Sequence, residues 1–313
     1  MRVLITGAAG FIGSNFVHLL RRQRPDWSLT VLDLLTYAGH AANLEPHLAQ
    51  GTVDLIVGDV AQTDDVARAI DGHDAVVHFA AESHVDRSIL GSAAFVRTNM
   101  VGTHTVLEAV RRNAVPMVLV STDEVYGDLG PDDPAFTETH PICPSSPYSA
   151  SKAGADHLAH AFVRTFSSDI RITRCSNNYG PRQFPEKLIP LMIGKILRGE
   201  ASPVYGDGLQ IRDWIHVDDH NRGVLAVLES GQRGGVYNLG GDNELTNLQV
   251  LEDLGRAVGR EPVLEFVTDR PGHDRRYAMN CAKVRSELGW KAKISWTDGL
   301  AQTVAWYADQ TEW

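Results

Sequence analysis

The chain has 313 residues and a formal net charge of −10, and an acidic protein of this kind is repelled at long range by nucleic acid and by anionic membranes. Hydrophobic residues make up 43% of it and charged residues 22%, an ordinary globular composition. The length predicts one large domain with a smaller companion lobe, and no stretch reaches the ~18 apolar residues that a membrane span needs.

Short apolar runs alternate with amphipathic stretches through the first half of the chain. The predicted strands are 3–6, 29–33, 55–57, 75–79, 118–121 and 170–175, and the predicted helices are 11–24, 63–71, 96–113 and 147–166. Continuous apolar strands between helices indicate a parallel sheet that is covered on both faces. Because crossovers between parallel strands are right-handed, we predict an α/β fold with a doubly wound, Rossmann-type sheet.

The pattern changes after residue 177, where prolines and glycines interrupt it more often. Helical patterns recur at 186–198, 218–230, 247–258 and 298–309. We predict a nucleotide-binding Rossmann domain over 1–176 and a smaller α/β substrate lobe over 177–313. Some segments of the second lobe are expected to return to the main sheet.

The cysteines and histidines show no metal-binding spacing. Cys143, Cys175 and Cys281 are widely separated, which is typical of free thiols in a reducing compartment. The first apolar run is too short for a signal peptide. We therefore expect no metal and a cytoplasmic location.

A glycine pattern predicts a dinucleotide site. Gly7, Gly10 and Gly13 follow the first predicted strand, where such glycines permit a tight turn and a close approach of backbone to a pyrophosphate. The helix that follows offers free N–H groups to phosphates. Asp33 ends the second predicted strand, where a carboxylate binds both ribose hydroxyls and repels a 2′-phosphate. The sequence therefore predicts NAD rather than NADP, with Asp59 near the adenine amino group.

Tyr148 and Lys152 lie four residues apart on one face of a predicted helix. A free phenol has a pKa near 10 and is a poor base at neutral pH. A neighbouring ammonium and the positive nicotinamide ring of NAD⁺ both favour the phenolate. Tyr148 is therefore a candidate base that deprotonates a hydroxyl while its carbon gives hydride to the cofactor, with Lys152 also holding the nicotinamide ribose.

Three polar residues follow the fifth predicted strand: Thr122, Asp123 and Glu124. Ligands of open α/β sheets bind beyond the carboxyl ends of the strands, so these residues are expected at the active edge. Two adjacent carboxyls can share one proton because their mutual repulsion raises one pKa. An acid beside a base suits an elimination, which an enzyme that only oxidises does not need.

These motifs resemble the extended short-chain dehydrogenase/reductase superfamily, and within it the sequence is similar to the dTDP-glucose 4,6-dehydratases over nearly its whole length. The segments that carry the similarity are 80–86, 121–127, 147–152, 176–181, 185–190, 212–214 and 269–277. The resemblance implies that Tyr148 takes the C4 hydroxyl proton as C4 hydride passes to NAD⁺. Glu124 then removes the C5 proton, protonated Asp123 donates to the departing C6 hydroxyl, and hydride returns to C6. Thr122 binds the C4 oxygen.

The resemblance also implies the site residues. Catalytic roles fall to Thr122, Asp123, Glu124, Tyr148 and Lys152. Cofactor contacts fall to Gly7, Gly10, Phe11, Ile12, Gly13, Asp33, Leu34, Leu35, Thr36, Asp59, Val60, Phe79, Ala80, Ala81, Ser83, Thr98, Ser121, Tyr148, Lys152 and Asn178. Substrate contacts fall to Ser83, Thr122, Asp123, Glu124, Tyr148, Asn177, Lys187, Leu188, Pro203, Tyr205, Arg212, Asn247, Arg270, His273 and Tyr277.

The sequence departs from the family pattern at two places. The family often has Asp-Lys-Leu-Thr where this chain has Asp33-Leu34-Leu35-Thr36, and Arg182 occupies a position often held by tyrosine. The lost lysine puts one adenosine or phosphate contact in doubt. Neither change touches the acid pair.

Alternatives stay open at this point. A nucleotide-sugar 4-epimerase or a 5,6-dehydratase has the same fold, and a non-catalytic NAD(H)-sensing protein belongs to another class. The nucleobase is not fixed between dTDP, UDP and CDP. In the superfamily, helices that correspond to 96–113 and 147–166 form a four-helix dimer interface, so the resemblance also implies a homodimer.

Overall fold

The computed structural model describes residues 1–310. Its strands are β1 (Arg2–Thr6), β2 (Ser28–Asp33), β3 (Val53–Val57), β4 (Ala75–His78), β5 (Met117–Thr122), β6 (Ile170–Cys175), β7 (Asn177–Tyr179), β8 (Ala201–Tyr205), β9 (Ile211–His216), β10 (Val236–Leu239), β11 (Glu244–Thr246) and β12 (Val263–Val267). Its α-helices are α1 (Phe11–Gln23), α2 (Glu45–Ala49), α3 (Thr63–Ile70), α4 (Val85–Leu90), α5 (Ala93–Phe95), α6 (Thr103–Asn113), α7 (Pro147–Phe166), α8 (Leu188–Arg198), α9 (Val217–Ser230), α10 (Asn247–Val258), α11 (Ala282–Leu288) and α12 (Trp296–Ala308). Two 3₁₀ turns, Ala41–Leu44 and Asp123–Tyr126, and a π-helical segment, Val96–Gly102, complete these elements.

A seven-stranded sheet forms the centre of the molecule, in the order β10-β6-β5-β4-β1-β2-β3. Each neighbouring pair is parallel, and the order reverses beside β1, as in a doubly wound fold. The predicted fold class is confirmed. The strand β10 lies beyond residue 177 and still belongs to this sheet, while the division of the chain at that residue stays a prediction.

Helices cover both faces of this sheet, which explains why its strands are apolar at consecutive positions. Side chains alternate between the faces. Ile5 packs with Phe16 of α1 and Val224 of α9 on one face. Leu4, one residue earlier, packs with Leu107 of α6 on the opposite face. The carboxyl ends of the strands therefore meet at one solvent-accessible edge.

The remaining strands, together with α8, α10 and α12, build a second lobe beside that edge. Strands β11, β9 and β7 form one small sheet, and β8 pairs in parallel with β12. Helices α8, α10 and α12 pack on the small sheet around Tyr179, Trp214 and Leu254, which are buried. None of the helices in residues 1–310 is both long and apolar enough to cross a bilayer.

Candidate active site

A cavity of about 450 Å³ runs along the carboxyl edge of the large sheet. It is lined by the glycine turn after β1, the end of β2, the turn after β5 and the start of α7. The predicted cofactor residues line it, with the exception of Leu35, whose side chain packs against the hydrophobic core. The predicted catalytic residues line the same cavity, so the two sets share one chamber.

The glycine turn leaves no room for side chains. Gly7 has φ +71°, and a Cβ added there would lie 2.5 Å from Ala80 Cα. A Cβ on Gly13 would lie 2.6 Å from Ala8 Cα, so this glycine lets α1 pack directly on the turn. Gly10 stands before α1 and contributes no capping side chain, which leaves the first N–H groups of the helix for a phosphate. The turn therefore fits the pyrophosphate of a dinucleotide.

Asp33 is buried at the end of β2 and anchors the turn. Its Oδ2 accepts a hydrogen bond from Ala9 N at 2.9 Å, and its Oδ1 accepts one from Leu35 N at 2.8 Å. Burial raises the pKa of this carboxyl, and the two backbone donors oppose the rise. Asp59 Oδ2 pairs with the Arg97 guanidinium at 2.5 Å in the same part of the cavity. Asp33 and Asp59 thus line one cavity, and their contacts with the ribose and the adenine stay predictions.

The start of α7 places Tyr148 and Lys152 in the cavity. Ser146 and Ser149 form a capping box that fixes the first turn. Lys152 Nζ donates to the Val120 carbonyl at 2.8 Å. Burial and the charge of Glu124 raise the pKa of Tyr148 well above its usual value. This direction is opposite to the lowering that we expected from Lys152, because in the chain alone burial outweighs the other influences.

The turn that follows β5 holds the two acids. Thr122 accepts a hydrogen bond from Glu124 N at 3.3 Å and donates to Asp123 Oδ1 at 3.2 Å. Asp123 is buried, and no donor within residues 1–310 reaches its Oδ2. Burial, then the Glu124 and Asp213 carboxylates, raise the pKa of Asp123 well above its usual value. Asp123 is therefore suited to hold a proton at neutral pH.

Glu124 has a different environment. It is half-buried, and burial raises its pKa. The charges of Arg270, Arg212 and Lys187 oppose that rise. Glu124 is thus the better base of the pair and Asp123 the better acid, a separation of roles that environment alone can impose on two carboxyls.

Arg212 and Tyr277 lie behind the acids rather than in the cavity wall. Arg212 is buried, with Nη2 donating to Asp274 O at 2.9 Å and its guanidinium 4.3 Å from the Tyr277 ring centroid. The Tyr277 hydroxyl donates to the Asp274 carboxylate. The charge of Arg212 reaches both acids, so this cluster belongs to the electrostatics of the site.

Other predicted substrate residues gather at the mouth of the cavity. Arg270 Nη1 lies 3.3 Å from Asp86 Oδ1, and the Tyr205 hydroxyl donates to Asp86 Oδ2 at 3.4 Å. His273 Nδ1 lies 2.6 Å from Asp269 Oδ1. The two contacts with Asp86 join the second lobe to α4 of the first, whereas the His273–Asp269 contact lies within the second lobe. Asn177, Ser83 and Lys187 line the cavity itself, and Lys187 Nζ donates to Ser83 O at 2.7 Å.

Three further predicted substrate residues, like the five described above outside its wall, do not line the cavity. Leu188 begins α8 and packs against the core of the second lobe. Pro203 lies within β8, opposite Glu265 of β12. Asn247 begins α10, and its backbone N–H donates to Gln210 O at 3.1 Å. Their predicted contact with the nucleotide stays a prediction.

Sequence reasoning missed Asn99. It is buried in the π-helical segment, where Oδ1 accepts from Glu82 N at 2.9 Å and Nδ2 donates to Ser151 Oγ at 2.8 Å. It therefore ties the cavity wall to α7 beside Tyr148. A lone asparagine in an amphipathic stretch carries no signal of this role. Arg97, two residues earlier, was missed for the same reason.

The two departures from the family pattern have different surroundings. Leu34 lines the cavity and is 47% exposed, so an apolar side chain stands where the family often has a lysine. Arg182 points away from the cavity, with Nη1 donating to Asn15 Oδ1 at 3.2 Å and its guanidinium 5.9 Å from the Trp306 ring centroid. Arg182 therefore contributes to the packing between α1 and α12.

The chain is similar to known proteins over its whole length. The family model described as GDP-mannose 4,6 dehydratase matches residues 4–303. The dTDP-glucose 4,6-dehydratase of Actinoplanes sp. is 48% identical, over 100% of this chain and 99% of that protein. The crystal structure of dTDP-glucose 4,6-dehydratase from Streptomyces venezuelae with NAD bound matches with a TM-score of 0.95 at 49% identity, over 99% of this chain and 97% of that one.

A more distant structure bears on the epimerase alternative. The UDP-glucuronic acid 4-epimerase of Bacillus cereus, in complex with UDP-glucuronic acid and NAD, matches with a TM-score of 0.93 at 28% identity. The match covers 98% of this chain and 99% of the epimerase. The fold alone therefore does not separate the two activities, and the residues of the site must do so.

Proposed function

The chain belongs to the GDP-mannose 4,6 dehydratase family, and from that premise we propose that it converts dTDP-glucose to dTDP-4-keto-6-deoxyglucose, a hydro-lyase reaction of deoxysugar biosynthesis. One observation carries the proposal. A single cavity holds the glycine turn, the Tyr148–Lys152 pair and the Asp123–Glu124 pair. Oxidation and elimination can therefore act on one bound sugar.

NAD is the cofactor that this cavity fits. The turn at Gly7 admits backbone but no side chain, and buried Asp33 disfavours a 2′-phosphate. When bound, NAD⁺ supplies a hydride acceptor for C4 and afterwards a hydride donor for C6. Asp33, Asp59 and the N-terminus of α1 would hold its adenosine and phosphates, with Lys152 at the nicotinamide ribose.

The first task of the protein is to remove the C4 hydroxyl proton. Tyr148 is the group in position to do so, and it hydrogen-bonds with Thr122. Because burial keeps the Tyr148 phenol neutral in the chain alone, its activation depends on cationic charge that arrives with the cofactor. The base is thereby active only in a loaded site.

The second task is to expel water. The C4 ketone acidifies the C5 hydrogen, and Glu124 removes it. Asp123, whose pKa burial and the charge of Glu124 raise well above its usual value, donates a proton to the departing C6 hydroxyl. Hydroxide is a poor leaving group and needs such an acid. Proton transfer by positioned groups of this kind contributes roughly 10²- to 10⁴-fold to a rate.

The second lobe supplies groups for the nucleoside diphosphate. Arg270 and Lys187 bring positive charge to the mouth of the cavity, and the planar fork of a guanidinium can bind two phosphate oxygens at once. Tyr205 is 40% exposed beside them and can stack on a base. The names of the relatives favour thymidine, and an assay across dTDP-, UDP- and CDP-glucose measures the preference directly.

A nucleotide-sugar 4-epimerase needs Tyr148 and Lys152 but has no use for an acid pair at the end of β5. The product separates the two activities. We expect purified protein with dTDP-glucose to give a sugar with a C6 methyl signal in its proton NMR spectrum. A product that keeps its C6 hydroxymethyl group would overturn the proposal in favour of epimerisation, and the absence of any product would favour an NAD(H)-sensing protein.

A homodimer is part of the proposal. Exposed apolar side chains stand on α4, on the π-helical segment and at the end of α7: Leu90 is 89% exposed, Val96 46%, Val101 47% and Phe166 48%. A second copy packing on this face would bury them. The three cysteines form no disulfide, which supports a reducing compartment such as the cytoplasm.

A further inference from the structure

A buried ion pair lies behind the catalytic helix. Arg174 of β6 donates from Nε to Asp156 Oδ2 of α7 at 2.9 Å. The side chains are 2% and 0% exposed. Asp156 Oδ1 has no hydrogen-bond partner within the described part of the chain. Buried ion pairs give little net stability because desolvation offsets their attraction. Stability alone therefore does not explain why this pair is buried here.

The pair is joined to the turn that carries the two acids. The Arg174 guanidinium lies 4.7 Å from the Tyr126 ring centroid, within the range of a cation–π contact. Tyr126 is the last residue of the 3₁₀ turn that begins at Asp123. Its hydroxyl donates to Asn238 Oδ1 of β10 at 2.7 Å. One guanidinium therefore contacts both elements that bear catalytic side chains.

The pair also faces Lys152. Asp156 follows Lys152 by four residues on α7, which places the two on the same side of the helix. Burial lowers the pKa of Lys152, and the Asp156 carboxylate opposes that lowering. Buried Lys152 donates to one carbonyl, Val120 O, and a carbonyl cannot neutralise its charge.

The other titratable groups around Lys152 do not supply a negative charge. Burial raises the pKa of Cys175, on β6, to about 12, so its thiol is neutral. Burial lowers the pKa of His78, on β4, to about 3, so its imidazole is neutral. Burial raises the pKa of Tyr148, on α7, and of Asp123, after β5, well above their usual values, which disfavours a negative charge on either. Asp156, followed by Cys175, opposes the fall in the pKa of Lys152, and Asp156 is the carboxylate of the two.

We propose that Asp156 and Arg174 form a positioning pair that keeps buried Lys152 in its charged form and fixes α7 against the turn of Asp123 and Glu124. The inference rests on the proposed function, because Lys152 matters there as the cation beside Tyr148 and the ribose. Arg174 donates a hydrogen bond to the Asp156 carboxylate and fixes its position, and that carboxylate favours the Lys152 ammonium.

Two variants test the pair. Asp156→Asn leaves the positive charge of Arg174 unpaired beside Lys152. The double variant Asp156→Leu/Arg174→Met removes both charges and fills the space with apolar atoms, a change that buried ion pairs often tolerate. We expect the pKa of Lys152 to fall by about one unit or more in Asp156→Asn, which is the size of shift that a nearby charge produces. The fall should be smaller in the double variant, because the positive charge of Arg174 is removed as well. The matched control is Asp169→Asn, which breaks the Asp169–Arg171 pair at the opposite end of β6 and should leave Lys152 unchanged.

The pKa of Lys152 is measurable directly because the chain has only six lysines. Protein carrying ¹³Cε-labelled lysine is titrated by NMR in wild type and variants, without substrate. The same proteins are assayed over pH with dTDP-glucose, where the basic limb of kcat/KM should move to lower pH together with Lys152. A folded double variant with an unchanged Lys152 titration would overturn the inference. A wild-type protein that makes no keto sugar would overturn the proposed function instead, and the titration would still decide the role of the pair.

Discussion

Tyr148 is the base of the proposed reaction, and its phenol is buried beside Glu124. The spacing of Tyr148 and Lys152 suggested a phenol with a lowered pKa, but burial and the charge of Glu124 raise it in the chain alone. Lys152 donates to Val120 O rather than to the phenol. The tyrosine is therefore a base that depends on the bound cofactor, which restricts proton removal to the loaded enzyme.

Glu124 is the residue whose replacement should separate oxidation from elimination. We expect Glu124→Gln to keep C4 oxidation and to lose proton removal from C5, with kcat reduced roughly 10²- to 10⁴-fold. A single turnover should then leave the ultraviolet absorbance of reduced nicotinamide on the protein. Tyr148→Phe is the matched control. It should block C4 oxidation itself, so no absorbance of reduced nicotinamide should appear. Normal turnover by Glu124→Gln would show that another group is the base.

Single residues were predictable where backbone geometry or position demands one residue type. Gly7 and Asp33 are of this kind. A turn without space for a Cβ requires glycine, and the carboxylate at the end of the second strand follows the glycines at a characteristic distance in the sequence. Asn99 and Arg97 leave none. Their roles depend on contacts with Glu82, Ser151 and Asp59 that exist only after folding.

At the scale of elements, the strand–turn–helix around Gly7 is the part of the predicted cofactor site that should tolerate substitution least. Gly7→Ala adds a Cβ 2.5 Å from Ala80 Cα at φ +71°, and we expect a lower Tm and loss of NAD binding by fluorescence titration. The control is Gly51→Ala, which has φ +64° and no atom within 4 Å of the added Cβ. Left-handed strain of about 1–2 kcal/mol applies to both variants, so the difference between them measures the clash. Equal NAD affinity in the two variants would contradict this role of Gly7.

The long elements were predictable because their hydrophobic period is clear, and α9 (Val217–Ser230) and α10 (Asn247–Val258) lie close to their predicted ranges. The short strands β7, β9 and β11 were not predicted. β9 contains Arg212 and Asp213, whose side chains are buried by partners distant in sequence. Such strands carry polar residues for the site and therefore lack an apolar pattern.

At the scale of the whole molecule, the exposed apolar face of α4, the π-helical segment and α7 should form a dimer interface. We expect size-exclusion chromatography with light scattering to give twice the chain mass of 34.3 kDa. Val101→Glu should dissociate the dimer, because Val101 lies on that face and is 47% exposed. Val263→Glu is the control, since Val263 is 57% exposed on β12 of the second lobe. If the wild-type protein were monomeric, the proposed dimer would be wrong.

The second lobe contacts the first through residues that are far apart in the sequence, and no local sequence pattern predicts these contacts. Asp86 of α4 contacts Arg270 and Tyr205, which follow it by 184 and 119 residues. These contacts bring Arg270 and Tyr205, which are predicted to bind the nucleotide, close to the first lobe. They follow from the topology of the whole chain, so their partner Asp86 could not be predicted from the sequence.

The central claim is that one site oxidises C4, eliminates water and returns the same hydride to C6. The most direct measurement supplies dTDP-glucose carrying deuterium at C4 and locates the label in the product by NMR and mass spectrometry. We expect the deuterium in the C6 methyl group of a 4-keto-6-deoxy sugar. Loss of the label to solvent, or its return to C4 in a sugar that keeps its C6 hydroxyl, would contradict the account.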